Sequence, residues 1–336
     1  MFFPLSYYIF FFSLLLGSMI SISSTSWFGA WIGLELNMMS FIPLITLKMN
    51  SYYSESALKY FLVQALGSAL LIMSSFFFIS LSYLASIFLF LALLLKLASA
   101  PFHFWFPQIM EGLAWPQAFL LMTIQKLAPM ILLSYLLFSP FLVSMTLFSA
   151  ILSALIGAIG GLNLTSLRKI IAFSSINHMS WMLIAISAGD SFWLFYFFIY
   201  SFIVFPIVIS FHGIQAFTLS DLISSDSKTI YHASLIAFTF LSLGGLPPFT
   251  GFIPKWMIIQ IMVNLNLFIP LFFLLISALI TLYFYLRVII TFIILLNPAI
   301  SFNMKYKSPN VSSPMLLLSI SFNFFGLLLP AYFFLT

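Results

Sequence analysis

LLLKLASAPFHFW, from Leu93 to Trp105, sets an ammonium, a proline and an imidazole inside an otherwise apolar run, and GGLPPFTGFIPKW, from Gly244 to Trp256, sets glycines and prolines ahead of Lys255. Proline removes an amide donor and obstructs the preceding turn, so each run reads as a helix that breaks beside a lysine. Around both lie long apolar stretches interrupted by Pro, Gly, Asn and Ser. A charge at mid-bilayer costs roughly 2.5 to 3.5 kcal/mol on insertion scales. Lysines kept at such places need a reason, and the default reason is functional.

The rest of the composition agrees with a membrane setting. Of 336 residues, 63% are hydrophobic and only 5% charged, whereas a water-facing domain carries roughly a quarter charged residues. The natural unit is then a span of about 20 residues. Apolar runs predict helices near 3–22, 26–47, 56–80, 83–100, 117–138, 141–162, 168–187, 191–214, 230–262, 267–296 and 314–335, eleven in all. A barrel would alternate apolar and polar positions; these runs are apolar on every side. The expected class is an all-α integral membrane protein, and the first segment, without a basic leader region, reads as a retained transmembrane helix.

Several functions are excluded at once. With no cysteine, the chain offers no thiolate to an iron–sulfur cluster, no disulfide and no thiol nucleophile. It has no GxGxxG or GxxxxGK[ST] loop to cradle a nucleotide, so any redox cofactor belongs to a partner. The net charge of +5 is scattered and makes no nucleic-acid stripe. Four dispersed histidines give no metal spacing, and the 44 phenylalanines are more economically lipid-facing bulk than a cofactor box.

Charge placement bears on topology. With eleven helices, Lys48, Lys59, Arg168, Lys169, Lys228, Lys305 and Lys307 all fall near loops on the side of the amino terminus. The positive-inside rule puts that side toward the cytoplasm-like compartment and the carboxyl terminus opposite. Sequons at Asn163 and Asn310 fall in the same loops, which argues against glycosylation. Both broken helices are the fourth in consecutive sets of five, and Lys126 and Arg287 occupy the fifth of each. Five is odd, so a repeated unit returns inverted, as in many transporters with broken helices at their ion sites. The expected division is 1–140 and 141–297 as two inverted five-helix repeats, with 298–336 as a loop and last helix.

Glu35, Lys96, Lys126 and Lys255 are the candidate proton-carrying groups. A desolvated lysine can change protonation near neutral pH, which arginine cannot, and each lysine has a proline nearby: Pro101, Pro129 and Pro254. Glu35, in WIGLELNMMSFIPL from Trp31, would be the counter-charge whose pairing with a lysine acts as a switch. His103 suits either a relay or a satisfied hydrogen bond. The same two readings hold for His178, in the polar strip AFSSINHMSWM from Ala172. Arg287, His212 and His232 read as interfacial groups, and Glu111, after the Pro101 break, as a loop or helix-end charge.

Four segments, LLLKLASAPFHFWFPQIMEG from Leu93, TIQKLAPM from Thr123, AFSSINHMSWM from Ala172 and GGLPPFTGFIPKW from Gly244, resemble the signature stretches of a known family. They look like those of the chain 2 family of antiporter-like membrane subunits of mitochondrial NADH:ubiquinone oxidoreductase, respiratory complex I. That resemblance implies a proton pathway through a glutamate and three lysines, matched here by Glu35, Lys96, Lys126 and Lys255. It implies a multi-pass inner-membrane location with the amino terminus in the matrix and the carboxyl terminus toward the intermembrane space. It further implies a hetero-oligomeric assembly of membrane-arm subunits and lipid, with NADH, FMN, iron–sulfur clusters and ubiquinone held by other subunits. The same charges would also serve a self-contained cation/proton antiporter, or the chain could be a structural spacer of the membrane arm.

Overall fold

The computed structural model describes residues 5–46, 50–78, 80–224 and 230–294. The expected helix at 314–335, the segment 298–336, and Lys48, Lys228, Lys305, Lys307 and Asn310 lie outside the described residues, as does the side chain of His232. The chain divides into two compact units, Met1–Ser149 and Ala150–Thr336.

The first unit contains α1 (Leu5–Ser23), α2 (Trp27–Ile45), α3 (Ser51–Phe77), α4 (Ser82–Leu97), α5 (Trp105–Gly112), α6 (Trp115–Met122) and α7 (Ile124–Ser134), and the division falls within α8 (Pro140–Gly160). The second continues with α9 (Leu167–Ala188), α10 (Asp190–Ile214), α11 (Leu219–Ser224), α12 (Ile230–Gly244), α13 (Phe252–Asn264) and α14 (Phe268–Ile294). Eight spans among the described residues are long and apolar enough to cross a membrane, one of them Trp115–Ser134, which α6 and α7 share. No strand forms among the described residues, where one isolated bridge joins Ser166 to Thr218.

These helices exist because lipid leaves the backbone no alternative partner. The many serines fit the same constraint: Ser21 donates to Ser18 O, Ser74 to Leu71 O and Ser174 to Ile171 O, each at 2.7 Å. A hydroxyl satisfied within its own helix makes no demand on a neighbour. α2 is two-faced, with Phe28, Ile32, Leu36 and Met39 exposed while Leu34, Asn37, Met38 and Phe41 are buried. α9 is buried along nearly its whole length and forms the centre of its unit.

α1 and α2 pack backbone to backbone. A Cβ added at Gly33 would stand 2.5 Å from Ser21 N and 2.8 Å from Gly17 O. Gly33→Val is therefore expected to prise α1 off the helix that carries Glu35. Overpacking of this kind costs about 1–3 kcal/mol, which should appear as a lower melting temperature of the purified protein; an unchanged melting temperature would mean the contact is not tight.

Three local expectations are corrected. The single helix expected at 117–138 is two, because Thr123 leaves helical geometry (φ −115, ψ −83) and its hydroxyl turns back to Phe119 O at 2.7 Å. The stretch after Pro101 is not simply a loop but contains α5, whose Trp105, Phe106, Ile109 and Met110 are buried. α3 starts at Ser51 rather than near 56, so Lys59 lies two turns into it rather than beside the preceding loop, exposed and paired with Glu55 at 2.6 Å; such an exposed i,i+4 pair adds little stability.

A small feature closes the loops of the second unit. Thr218 caps α11 and Asp221 reaches back, its carboxylate accepting from the Phe217 and Thr218 amides at 2.9 and 2.8 Å while its own amide donates to Thr218 Oγ1. Slight burial opposes the charged form, but these hydrogen bonds outweigh it and hold the Asp221 carboxyl below its ordinary value. A carboxyl depressed in the folded state stabilises the fold above its unfolded pKa of about 3.9 and loses that contribution as pH falls further. Protection of the Phe217 and Thr218 amides from exchange, relative to their intrinsic rates, is expected to fall below about pH 4, and Asp221→Asn should remove that pH dependence.

Candidate functional site in the buried lysines

In the first unit, α4 ends with Ala98 in the left-handed region (φ 58, ψ 33). The end is closed without any charge: Ser99 N and Oγ donate to Leu94 O, and Ala98 N and Trp105 Nε1 donate to Leu95 O. Lys96, in the last turn and 7% exposed, is left free of that task. It runs past Gly67, where an added Cβ would lie 3.3 Å from the Lys96 chain.

Lys126 is the third residue of α7 and 2% exposed. Its Nζ is buried with no hydrogen-bond partner and lies 4.7 Å from the centre of the Phe106 ring. A helix start is the positive end of its dipole, the unfavourable end for an ammonium. Lys96 and Lys126 line one cavity, together with Asn37, Tyr60, Gln64 and Gln125. It has room for about one water molecule. The break beside Lys126 is at Thr123; Pro129 sits later, inside α7, where it lines the same cavity.

Glu35 is half-buried on α2. Its charge reaches Lys96 and Tyr60, but no ion pair joins it to a lysine. The expected Glu35–lysine contact is therefore a longer-range interaction. His103 is buried beside the break, with Nδ1 3.3 Å from Pro101 O and its ring against Phe104, and it is not among the residues lining the cavity.

The second unit uses its lysine differently. α12 ends at Gly244, and Lys255, one turn into α13 and 6% exposed, returns to donate to Gly244 O at 2.8 Å and Leu243 O at 3.3 Å. These carbonyls belong to a helix end, so they carry the negative pole of α12. Gly245 makes the approach possible: its φ is +76, and an added Cβ would meet Lys255 Cδ at 2.7 Å. Trp181 lies beneath, with Lys255 Nζ 6.0 Å from its ring.

One turn before Trp181 on α9, His178 is buried with Nδ1 2.8 Å from Tyr196 Oη, and the Tyr200 ring is 5.0 Å away. The Tyr200 and Tyr285 hydroxyls are buried close by without a hydrogen-bond partner, and Asn177 accepts from Ser277 Oγ at 3.0 Å. The polar strip thus becomes a buried hydroxyl and imidazole network joining α9, α10 and α14. Arg287 is half-buried within α14, and His212 and Glu111 are exposed near the ends of α10 and α5. No cluster of three His, Asp or Glu side chains among the described residues is placed to hold a metal ion.

Sequence reading passed over Asn37, Tyr60, Gln64 and Gln125 in the first unit and Tyr196, Tyr200 and Tyr285 in the second. All are uncharged. Their available signal was a hydrogen-bonding side chain in the middle of an apolar run.

Buried lysines beside broken helices, in an all-helical membrane protein, define an antiporter-like class. The family described as "NADH:quinone oxidoreductase/Mrp antiporter, TM" matches residues 24–83 and 79–281. NADH-ubiquinone oxidoreductase chain 2 of Anopheles gambiae is 44% identical over 334 residues, covering 95% of this chain and 94% of that one. The chain 2 protein of Aedes aegypti is 45% identical over 288 residues, 83% of each. A chain of respiratory complex I from Thermus thermophilus shares the fold with a TM-score of 0.80 at 23% identity, over 94% of this chain and 75% of that chain. The chain belongs to the NADH:quinone oxidoreductase/Mrp antiporter membrane family and, within it, to the NADH-ubiquinone oxidoreductase chain 2 family.

Proposed function

We propose that this chain is a membrane-arm subunit of mitochondrial NADH:ubiquinone oxidoreductase that carries protons across the inner membrane while other subunits pass electrons from NADH through FMN and iron–sulfur clusters to ubiquinone. Lys96, Lys126 and Lys255 load and release the protons, Glu35 biases Lys96 through charge, and His103 and His178 are secondary candidates for the relay. The observation that carries this reading is Lys126: a fully buried ammonium without a hydrogen bond, facing a cavity it shares with a second lysine. A purely structural lysine would be expected to spend its donors on carbonyls or carboxylates, and Lys126 spends none.

The finer architecture is part of the same proposal. Eleven spans form two inverted five-helix repeats, 1–140 and 141–297, with 298–336 as a loop and final helix. The amino terminus is in the matrix and the carboxyl terminus faces the intermembrane space. Other membrane-arm subunits and lipid cover the apolar faces.

The test is the proton-to-electron stoichiometry of the assembled complex in proteoliposomes, with each lysine replaced by methionine in turn. Loss of proton movement is expected in each, with assembly intact in Lys126→Met and reduced in Lys255→Met, which strands two carbonyls. Wild-type stoichiometry in all three variants would falsify the pathway and leave a structural spacer. Sodium-dependent proton flux by the isolated chain would instead favour a self-contained antiporter.

A further inference from the structure

The hydrogen bonds that cross the first unit between α2, α3 and α7 run through one amide. Gln125 Nε2 donates to Asn37 Oδ1 at 2.8 Å, and Tyr60 Oη donates to Gln125 Oε1 at 3.1 Å. Asn37 follows Glu35 by two residues on α2, and Gln125 immediately precedes Lys126 on α7. Asn37 and Tyr60 are 2% and 1% exposed, and all three residues line the cavity that holds Lys96 and Lys126. Both ends of the Gln125 amide are therefore engaged, one on the helix of Glu35 and the other on α3.

A carboxamide neither releases nor takes up a proton near neutral pH, so this bridge is not a relay. Its effect is mechanical. The Tyr60 ring is held independently by Phe41 at 5.0 Å and Trp105 at 6.2 Å, which leaves its hydroxyl as a fixed anchor. Asn37, buried in an apolar bundle, costs free energy unless bonded, and Gln125 supplies that bond. Glu35 has no ion-pair contact with either lysine, so a charge change on its helix must reach Lys126 by another route. The bridge offers one.

We propose that Gln125 is a positioning residue: its amide ties the helix of Glu35 to the first turn of α7, so that a shift of α2 is passed to Lys126 through the shared hydrogen bonds rather than through a direct ion pair. This rests on the proton-carrying role given to Lys126 above.

The experiment uses the assembled complex in proteoliposomes and reads proton-to-electron stoichiometry, coupled turnover and assembled amount. The variants are Gln125→Leu, Asn37→Leu, both together, and the amide exchange Asn37→Gln with Gln125→Asn; Lys126→Met is the reference. Residues that transmit coupling change it about twofold or more. Gln125→Leu, which removes both bonds, is expected to lower coupled turnover by at least about that factor, Asn37→Leu by no more than that, and the pair no further than Gln125→Leu alone, because the bond that Asn37→Leu removes is already lost in it. The amide exchange should restore most of the loss.

If Lys126→Met still pumps normally, the proton pathway itself fails. If Lys126→Met stops pumping while Gln125→Leu keeps wild-type stoichiometry and turnover, or the two leucine losses simply add, the positioning role alone is overturned. Should Gln125→Leu not assemble, Tyr60→Phe removes one of the two bonds and keeps the ring packing. A smaller loss in the same direction supports the proposal, and wild-type coupling defeats it.

Discussion

Replacing Lys126 with methionine is expected to reduce coupled proton movement by about 100-fold, the low end of what a positioned proton-transferring group contributes, while the protein stays folded. The two side chains have similar volume, so the core neither opens nor overfills. Lys126 Nζ has no hydrogen-bond partner, and therefore methionine orphans no carbonyl or carboxylate. What is lost is the contact with the Phe106 ring at 4.7 Å, of about 0.5–2 kcal/mol. A methionine sulfur over an aromatic ring returns about 0.3–1.5 kcal/mol. Removing a buried charge without an acceptor is itself favourable. The melting temperature of the variant should thus equal or exceed that of the parent even as proton movement falls. Unaltered proton movement would show that Lys126 is dispensable, and a large fall in melting temperature would show that its charge is structurally compensated.

The breaks at Pro101 and at Gly244–Gly251 were legible because proline and glycine act on the backbone at their own position, whatever surrounds them. The break at Thr123 was not, since threonine is an ordinary helix residue and departs from helical geometry here only in its tertiary setting. The three lysines stood out because a charge in an apolar run is rare. Their surroundings did not: whether Glu35 touches Lys96 depends on the spacing of two helices, which no sequence pattern carries. Serine hid the polar network further. Most serines spend their hydroxyl on a carbonyl of their own helix, so Asn37, Gln64 and Gln125 lay among polar residues without any distinguishing spacing. What separates Asn37 and Gln125 is that their partners lie on other helices.

Lys255 should respond to substitution in a way Lys126 does not, and the difference separates proton transfer from architecture. Its Nζ satisfies Leu243 O and Gly244 O at the end of α12. Lys255→Met strands both carbonyls, and a buried unsatisfied group costs about 1–3 kcal/mol. It also removes the positive charge from the negative pole of the helix, an interaction of up to about 2 kcal/mol in partly buried geometry. The variant is expected to melt several degrees lower, to assemble in smaller amount and to lose proton movement. Lys255→Arg is the discriminating partner. Guanidinium keeps donors for the carbonyls and keeps the charge, but it does not release its proton. Its larger head must fit beside Gly245, where Lys255 already leaves no room for a Cβ, so recovery of stability will be partial. Higher assembly than Lys255→Met with proton movement still absent is the expected result, read by quantifying assembled complex and proton flux in the same preparation. Normal proton flux with arginine would reduce Lys255 to a helix cap and remove it from the pathway.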